Sequence, residues 1–406
     1  MNLVIPENIK VDWFPSIYAM RYCYIIHKIL QEQYFQKVSN ETYVNLNSVI
    51  LKAYIGVKYT ELIRELVKQG IIETDGLAIQ GYKSKGYRLT ERYRGARVKW
   101  IELTDQKLKA RLKVFLDTSR IMSELEWLQK PLKDLSIDDK RATEFINDTY
   151  SNEVNKYNSR DIAIRNTKEN PLNPFIQDNK GGRVYTSLAL MPKDLRPFCN
   201  VNGVPLYSID ICCSHPYHFV PLAKSFSREN INPEYTYTNV YGEETENDLE
   251  LYEYLVCNNQ LYDYFIERMN FTGTKREFKN LFFAQVWFCD NPKNYHNEMQ
   301  IFMDSEFPTI SKALKHYKKN TQGFYTDNKD KFKNFPILLQ HIEKNNVVDK
   351  IAKSLITNNP AIFIATIHDC IVTTQGNEGK VLSEMNKVFY NQYQNTPTIK
   401  TELLIN

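Results

Sequence analysis

Apolar residues recur with a helical period in "PSIYAMRYCYIIHKILQEQYF", and the polar stretch "VSNET" ends that run. The same period in "YTELIRELVKQG" predicts a second helix with Leu62, Ile63, Leu66 and Val67 on one face and Gly70 as its C-cap. Two short extended runs follow in "IIETDGLAIQGYKSKGYRLT", around turns rich in Gly and Lys. Residues 106–170 read as charged helices, with Pro131 dividing the first stretch. Beyond Pro171 the pattern becomes mixed. "GVPLYSIDI" and "AIFIATIHDCIVTT" are β-branched, strand-like runs, and the second can fold back at His368-Asp369-Cys370. Between them lie helical segments, "TKREFKNLFFAQVWF" and "FPILLQHIEKNNVVDKIAKSLI" among them. Strands that carry acids, with helices inserted between them, predict an α+β fold whose sheet has a helical subdomain attached.

Helix, helix and basic hairpin over residues 1–105 form the pattern of a winged helix-turn-helix. Lys58, Lys83, Lys85, Arg88, Arg92 and Arg94 would then sit on its recognition side or wing, where phosphate contacts form. The pattern also fits a small α+β packing module with a solvated basic hairpin. Residues 106–170 are a linker or a helical pair able to clamp a duplex.

Composition narrows this picture only slightly. At 406 residues the chain can hold two or three domains, and its 42% apolar and 25% charged content is that of an ordinary globular protein. A formal charge of +4 does not by itself imply nucleic acid, so a polyanion-binding surface would have to be a local patch. The seven cysteines form no C-x-x-C pair, which points to a reducing, cytoplasmic setting. No apolar run approaches the roughly 18 residues of a membrane span, so no membrane partner is expected.

Candidate chemistry begins with a stripe. Lys275, Lys279, Phe283 and Trp287 recur at every fourth residue, and on an α-helix that step turns about 400°, so the four share a face. Two ammonium groups followed by two aromatic rings suit a triphosphate and a nucleobase. Asp210 ends the first strand, sharing a face with Val204, Leu206 and Ser208, and Asp369 sits in the turn of the second hairpin. If the two strands are neighbours in one sheet, the carboxylates converge and can hold a pair of Mg²⁺ or Mn²⁺ ions about 4 Å apart. Such ions would activate a 3′-hydroxyl and bear a leaving pyrophosphate, with Lys275 and Lys279 neutralising the triphosphate. His215 and His218 lack clustered partners for a zinc site.

Four segments, in order over residues 181–374, resemble the single-subunit nucleic-acid polymerases, the superfamily of family A DNA polymerases and phage-type RNA polymerases. "GGRVYTS" resembles the segment that opens the palm, which implies that Arg183 contacts template or primer. "DICCSHPYH" resembles motif A, "KREFKNLFFAQVWF" is similar to motif B of the fingers helix, and "IHDCIVT" resembles motif C. The resemblance implies an antiparallel palm sheet over residues 171–406 with helical fingers at about 220–345. A small helical thumb over 106–170 would follow the N-terminal winged helix. It further implies that Ser214 and His215 meet the sugar and that His368 supports the primer end or the metals.

Motif B carries Lys275 in place of arginine, Trp287 in place of tyrosine and Phe288 in place of glycine. Cys370 stands where DNA polymerases of this family carry glutamate and phage-type RNA polymerases serine. Cys213, Ser214 and His218 match the RNA polymerase form of motif A, while a bulky His215 at the sugar gate leaves the choice of NTP or dNTP open. The expectation is a compact template-directed nucleotidyltransferase acting on a nucleic-acid template and primer, a form that suits a mobile element, plasmid or phage. A primase-like enzyme, or a non-catalytic winged-helix initiator or regulator with a relic palm, stands as the alternative.

Overall fold

The computed structural model describes residues 1–77, 84–119, 124–172, 174–230, 237–238, 244–245, 248–289 and 297–405, with side chains of 114–119, 237–238 and 244–245 left aside. It divides into two units. The first comprises Met1–Phe175 with Leu190–Gly203 and Ile405–Asn406; the second comprises Ile176–Ala189 with Val204–Leu404.

In the first unit, strand Asn2–Pro6 pairs antiparallel with Val98–Glu102. Between them the chain forms helix Ala19–Phe35, strand Val44–Asn45, helices Ser48–Ile55 and Tyr59–Lys68, and strands Ile72–Thr74 and Gly86–Leu89. The last strand lies in the middle of its sheet, flanked by Val44–Asn45 and Ile72–Thr74. Helix Tyr59–Lys68 buries Leu62, Ile63 and Leu66, whereas Val67 is 37% exposed because it lies a full turn and a half beyond Leu62. Its end is set by Gly70 at φ +67, where Gly70 N–H donates to Val67 O and Ile71 N–H to Leu66 O, both at 3.0 Å. A side chain at Gly70 would strain that left-handed cap. Leu66 is completely buried, so Leu66→Ala would cost about 2–5 kcal/mol.

Helix Ser48–Ile55 and strand Val44–Asn45 go beyond the sequence expectation. The Asn47 side chain caps that helix by accepting from Val49 and Ile50 N–H. Residues 106–170 form helices Gln106–Ser119, Asp139–Tyr150 and Val154–Glu169, but also a strand, Leu135–Ile137. This strand pairs with Cys199–Val201, and buried Leu135 and Ile137 supply the period-two pattern that the surrounding charge hid.

In the second unit, strand Val204–Ile211 is flanked by Cys370–Thr374 on one side and Ile399–Leu404 on the other. Ile364–Ile367 adds beyond Cys370–Thr374. All these pairs are antiparallel. A two-residue connection, His368-Asp369, closes the outer hairpin, with His368 at φ +57, a conformation that histidine tolerates better than most side chains. Helices Ser214–Asn230, Lys275–Phe282, Asn334–Lys344 and Glu378–Tyr393 occur in the same unit. Its core is dense in aromatics: Tyr217, Phe219, Phe265, Phe278, Phe282, Trp287 and Phe335 are each at most 1% exposed. Among the described residues, no helix is long and apolar enough to cross a membrane.

Candidate active site

Register fixes the centre of the site. Asp210 lies opposite Cys370 on one neighbouring strand and opposite Lys400 on the other. Asp369 precedes Cys370, so the two aspartates stand side by side although far apart in the chain. Asp369 itself is buried among other acids. Burial, with the nearby charges of Glu343 and Asp210, pushes the Asp369 carboxyl up to about 8. Burial pushes the Cys370 thiol up to about 12, against the lowering effect of its 3.2 Å hydrogen bond with Ser208.

A cavity of about 490 Å³ opens over these acids. Its wall includes Asp210, Asp369, Arg183, Ser214, His215 and Glu343, and also Lys275, Lys279, Phe283 and Lys400. Each arrives for a local reason. Cys213, at φ +54, turns the chain sharply between the central strand and helix Ser214–Asn230, carrying Ser214 and His215 to the cavity. Gly181 lies so close to Gln340 that a Cβ would collide with it. That approach brings Arg183 to Glu343 on the same helix, with Arg183 Nε and Nη2 donating to Glu343 Oε1 at 3.0 and 2.8 Å. Ser214 Oγ donates to Glu343 Oε2 at 3.1 Å.

His215 Nε2 lies 3.2 Å from Arg183 Nη2 and 3.5 Å from Glu343 Oε2. Burial and the Arg183 charge hold the imidazole down at about 4. The ring is therefore neutral near pH 7 and accepts from Arg183, and its contact with Glu343 is not an ion pair.

The lysine stripe starts on helix Lys275–Phe282, nucleated by a capping box in which Thr274 and Glu277 satisfy each other's backbone N–H groups. Lys275 Nζ contacts Asp263 at 2.6 Å, and Lys279 Nζ stands 4.7 Å from the centre of the Tyr262 ring. Phe283 follows in the cavity wall, but Trp287 does not. Residues Phe283–Trp287 form a π-helical turn in which Phe288 N–H donates to Phe283 O, five residues back, at 2.8 Å. The extra residue per turn carries Trp287 off the α-helical stripe. Its indole is 1% exposed, stacked on Phe335 at 5.8 Å and edge-on to Phe219 at 5.3 Å. Phe288 takes the vacated direction, stacking on Phe283 at 5.1 Å. Phe283 thus lines the cavity with Phe288 stacked on it, while Trp287 lies in the core.

His368 packs edge-on to Tyr185 at 5.5 Å. His218 is fully buried, its Nδ1 3.4 Å from Asn346 Nδ2, as a core histidine. Glu343 and Lys400 are the functional candidates that sequence reasoning missed. "IEKNN" follows no motif spacing, and Lys400 is placed only by pairing at the far end of the chain.

Two carboxylates flanked by open space suit Mg²⁺, which binds through one or two acids and completes its shell with water and phosphate oxygens. The like-charge strain at Asp369 is what such a cation would relieve. Glu343 is committed to Arg183 and Ser214, and among the described residues no group of three or more His, Cys, Asp or Glu is arranged as a metal cluster.

Most of the basic residues expected on the wing of the first unit have separate local partners. Arg88 lies opposite Glu73 in the strand register and binds it at 2.9 Å, with its guanidinium 4.2 Å from the Tyr43 ring centre. That cross-strand pairing occupies the side chain expected on phosphate. Arg94 lies 3.6 Å from the same Glu73. Lys58 stands over Tyr18 at 5.5 Å, Arg92 stands over Tyr93 at 5.6 Å, and Lys85 is exposed. Lys83 lies outside the described residues.

No protein-family profile matches the chain, and no curated protein does. Among solved structures, one described as the POL domain of Pol1 from M. smegmatis, in complex with DNA primer-template and dNTP, matches with a TM-score of 0.31 and 10% identity. The match covers 64% of this chain and 55% of that one, so this chain spans about half of its length. A likeness at that level carries no argument about fold or activity.

Proposed function

We propose that the protein is a template-directed nucleotidyltransferase that joins an incoming nucleotide to a 3′-hydroxyl. The observation that carries this reading is one cavity lined by Asp210, Asp369, Lys275, Lys279 and Phe283, brought together from a strand, a hairpin turn and a helix with its following π turn. Asp210 and Asp369 would hold Mg²⁺, or Mn²⁺ in its place. When bound there, such an ion would supply Lewis acidity for the attacking hydroxyl and charge balance for the leaving pyrophosphate. Lys279 and Lys275 would balance the triphosphate charge across the cavity. Phe283, backed by Phe288, offers a face for the nucleobase, and neutral His215 and Ser214 lie where a sugar would approach. Arg183 would act chiefly by holding Glu343 and His215 in place.

The same proposal reads the sheet of the second unit as a palm, residues 220–345 as fingers, 106–170 as a thumb and 1–105 as a winged helix. For the last, the support is three helices with a three-stranded sheet whose middle strand is Gly86–Leu89. Incorporation should be measured on primed and unprimed templates with NTPs or dNTPs. Wild type should extend with Mg²⁺, whereas Asp210→Ala and Asp369→Ala should lose at least about a hundredfold of that rate. Absence of synthesis by wild type under every combination removes the enzymatic reading.

A further inference from the structure

In the second unit, the loop between helices Pro308–Asn320 and Asn334–Lys344 holds an aromatic ring out in water. Phe324 on that loop is 61% exposed. The loop itself is pinned from beneath. Asn334, 1% exposed, accepts from Tyr325 N–H at 2.9 Å and donates to Tyr325 O at 2.8 Å and Thr321 O at 3.3 Å. Gly323 passes so close that a Cβ would lie 3.0 Å from Asn334 Oδ1. The ring is therefore presented on a backbone already ordered by a buried amide, and little ordering is left to lose when a ligand meets it.

Cations accompany the ring. Lys180 Nζ stands 4.6 Å from the centre of Phe324 and donates to Tyr325 Oη at 2.9 Å. Lys333 Nζ stands 5.4 Å from the centre of the Tyr325 ring. The acids close by are engaged: Asp330 holds Lys333 at 2.6 Å, and Asp327 holds Lys329 at 3.6 Å. Asp178 turns its carboxylate onto the N–H groups of Lys180 and Gly181, at 3.1 and 2.6 Å. The Lys180 ammonium is bonded to a phenol, so its charge can still meet an anion. This surface is continuous with the candidate active site. Lys180 lies in the hairpin that Asp178 N–H closes on Arg183 O at 2.8 Å, and Arg183 lines the acidic cavity. Asn334 opens the helix that carries Glu343.

We propose that this surface binds single-stranded nucleic acid, with a base stacked on Phe324 and a neighbouring phosphate at Lys180. An aromatic ring beside an ammonium matches a strand in which bases and phosphates alternate. An acidic peptide would use the cations and leave the ring without a partner, and a closed duplex would keep its base faces away from it. The inference deepens the polymerase reading and rests on it for one thing, the strand's role as template.

Fluorescence anisotropy on the full chain, without nucleotide or divalent metal, would compare labelled dodecathymidylate with an abasic strand of equal length, a blunt duplex and decaglutamate. Phe324→Ala should weaken thymidylate binding at least about fivefold, the low end of stacking one base on an aromatic ring, and leave the abasic strand unaffected. Phe324→Trp should retain the binding. Lys180→Gln should flatten the slope of log affinity against log salt by about 0.7, the loss of one single-strand phosphate contact. Lys387→Gln, at a 63% exposed side chain on helix Glu378–Tyr393, should change neither. Overturning results are thymidylate binding indifferent to Phe324→Ala, equal affinity for the abasic strand, tighter binding of the duplex or of decaglutamate, or no binding by any probe. Phe324-dependent binding without synthesis by wild type removes the polymerase reading alone. Synthesis with binding indifferent to Phe324 removes this proposal alone.

Discussion

Replacing Arg183 by Met tests whether that residue is primarily a contact for nucleic acid or the keystone of the acidic site. Its guanidinium makes two bonds to one oxygen of a carboxylate that is 2% exposed and accepts no competing cation in the described network. Removing it would leave Glu343 buried beside Asp210 and Asp369, with three acids and no neighbouring guanidinium. Breaking a buried pair from one side costs about 3–5 kcal/mol, because the stranded charge keeps its desolvation penalty. Glu343→Gln should cost less, about 1–2 kcal/mol, since glutamine preserves shape and eases the like-charge strain on Asp369. The Arg183 side chain is 19% exposed, so water can take over part of its solvation.

In the double variant the stranded charge is absent, so the cost should fall below the sum of the singles by about 1.5–3 kcal/mol. Urea denaturation followed by circular dichroism, repeated for all four members of the cycle at pH 7.5, measures this directly. Additivity within about 0.5 kcal/mol, or a larger loss for Glu343→Gln than for Arg183→Met, would refute the reasoning.

Trp287→Ala should destabilise the protein by about 3–5 kcal/mol, measured by urea midpoint, while Phe283→Ala should chiefly raise the nucleotide KM. The reverse assignment of effects would restore Trp287 to the binding face. His27 and His218 are buried neutral, each with its pKa lowered by burial to about 3. Between that value and about 6.5 the unfolded chain binds more protons, so stability falls with falling pH by up to about 1.4 kcal/mol per unit for each. His218→Asn should flatten the slope between pH 6 and 4, which unfolding curves at several pH values would reveal; an unchanged slope counts against a neutral core imidazole. Because Asp369 holds its proton up to about pH 8, Mg²⁺ should bind more weakly as pH falls below 8, by about tenfold per unit for one proton released. Calorimetric titration of Mg²⁺ into wild type and Asp369→Asn checks this, the variant losing both the binding and its pH dependence. Arg88→Ala should lower stability by about 1–2 kcal/mol while leaving nucleic-acid affinity and its salt slope unchanged.

Elements marked by a β-branched run or a single apolar helix face were legible from the chain. Strands Val204–Ile211 and Ile364–Ile367, the turn at His368, and helix Tyr59–Lys68 with its Gly70 cap follow from local pattern. Helix Ser48–Ile55 escaped because "SVILKAYI" is apolar nearly throughout, so its period is blurred, although Asn47 before it was a usable cap signal. Strand Leu135–Ile137 escaped for the opposite reason: it is only three residues long, and pairing with Cys199–Val201, not propensity, makes it a strand.

The site divides along the same line. Asp210 and Asp369 were legible because each ends or turns a strand, where a carboxylate needs no long-range information to be singled out. Glu343 was not, since nothing in "QHIEKNN" separates it from a solvated helix acid until Arg183 is folded against it. The stripe from Lys275 keeps its cavity-lining face through Lys279 and Phe283 and leaves it at Trp287, where the helix changes pitch. An i, i+4 rule has no means of detecting a π turn, whose signature is a hydrogen bond five residues back, not a residue type. The same turn accounts for the bulk of Phe288. With an extra residue in the turn, position 288 points where position 287 would on an α-helix, so a large aromatic is accommodated beside Phe283. Deleting Ala284 removes the extra residue and makes Phe288 the fourth residue after Phe283 on a regular helix, so both rings should keep their places: Phe288 on Phe283, and the Trp287 indole buried against Phe335. Tryptophan emission should stay unshifted, and a red shift from an exposed Trp287 would refute the bulge argument.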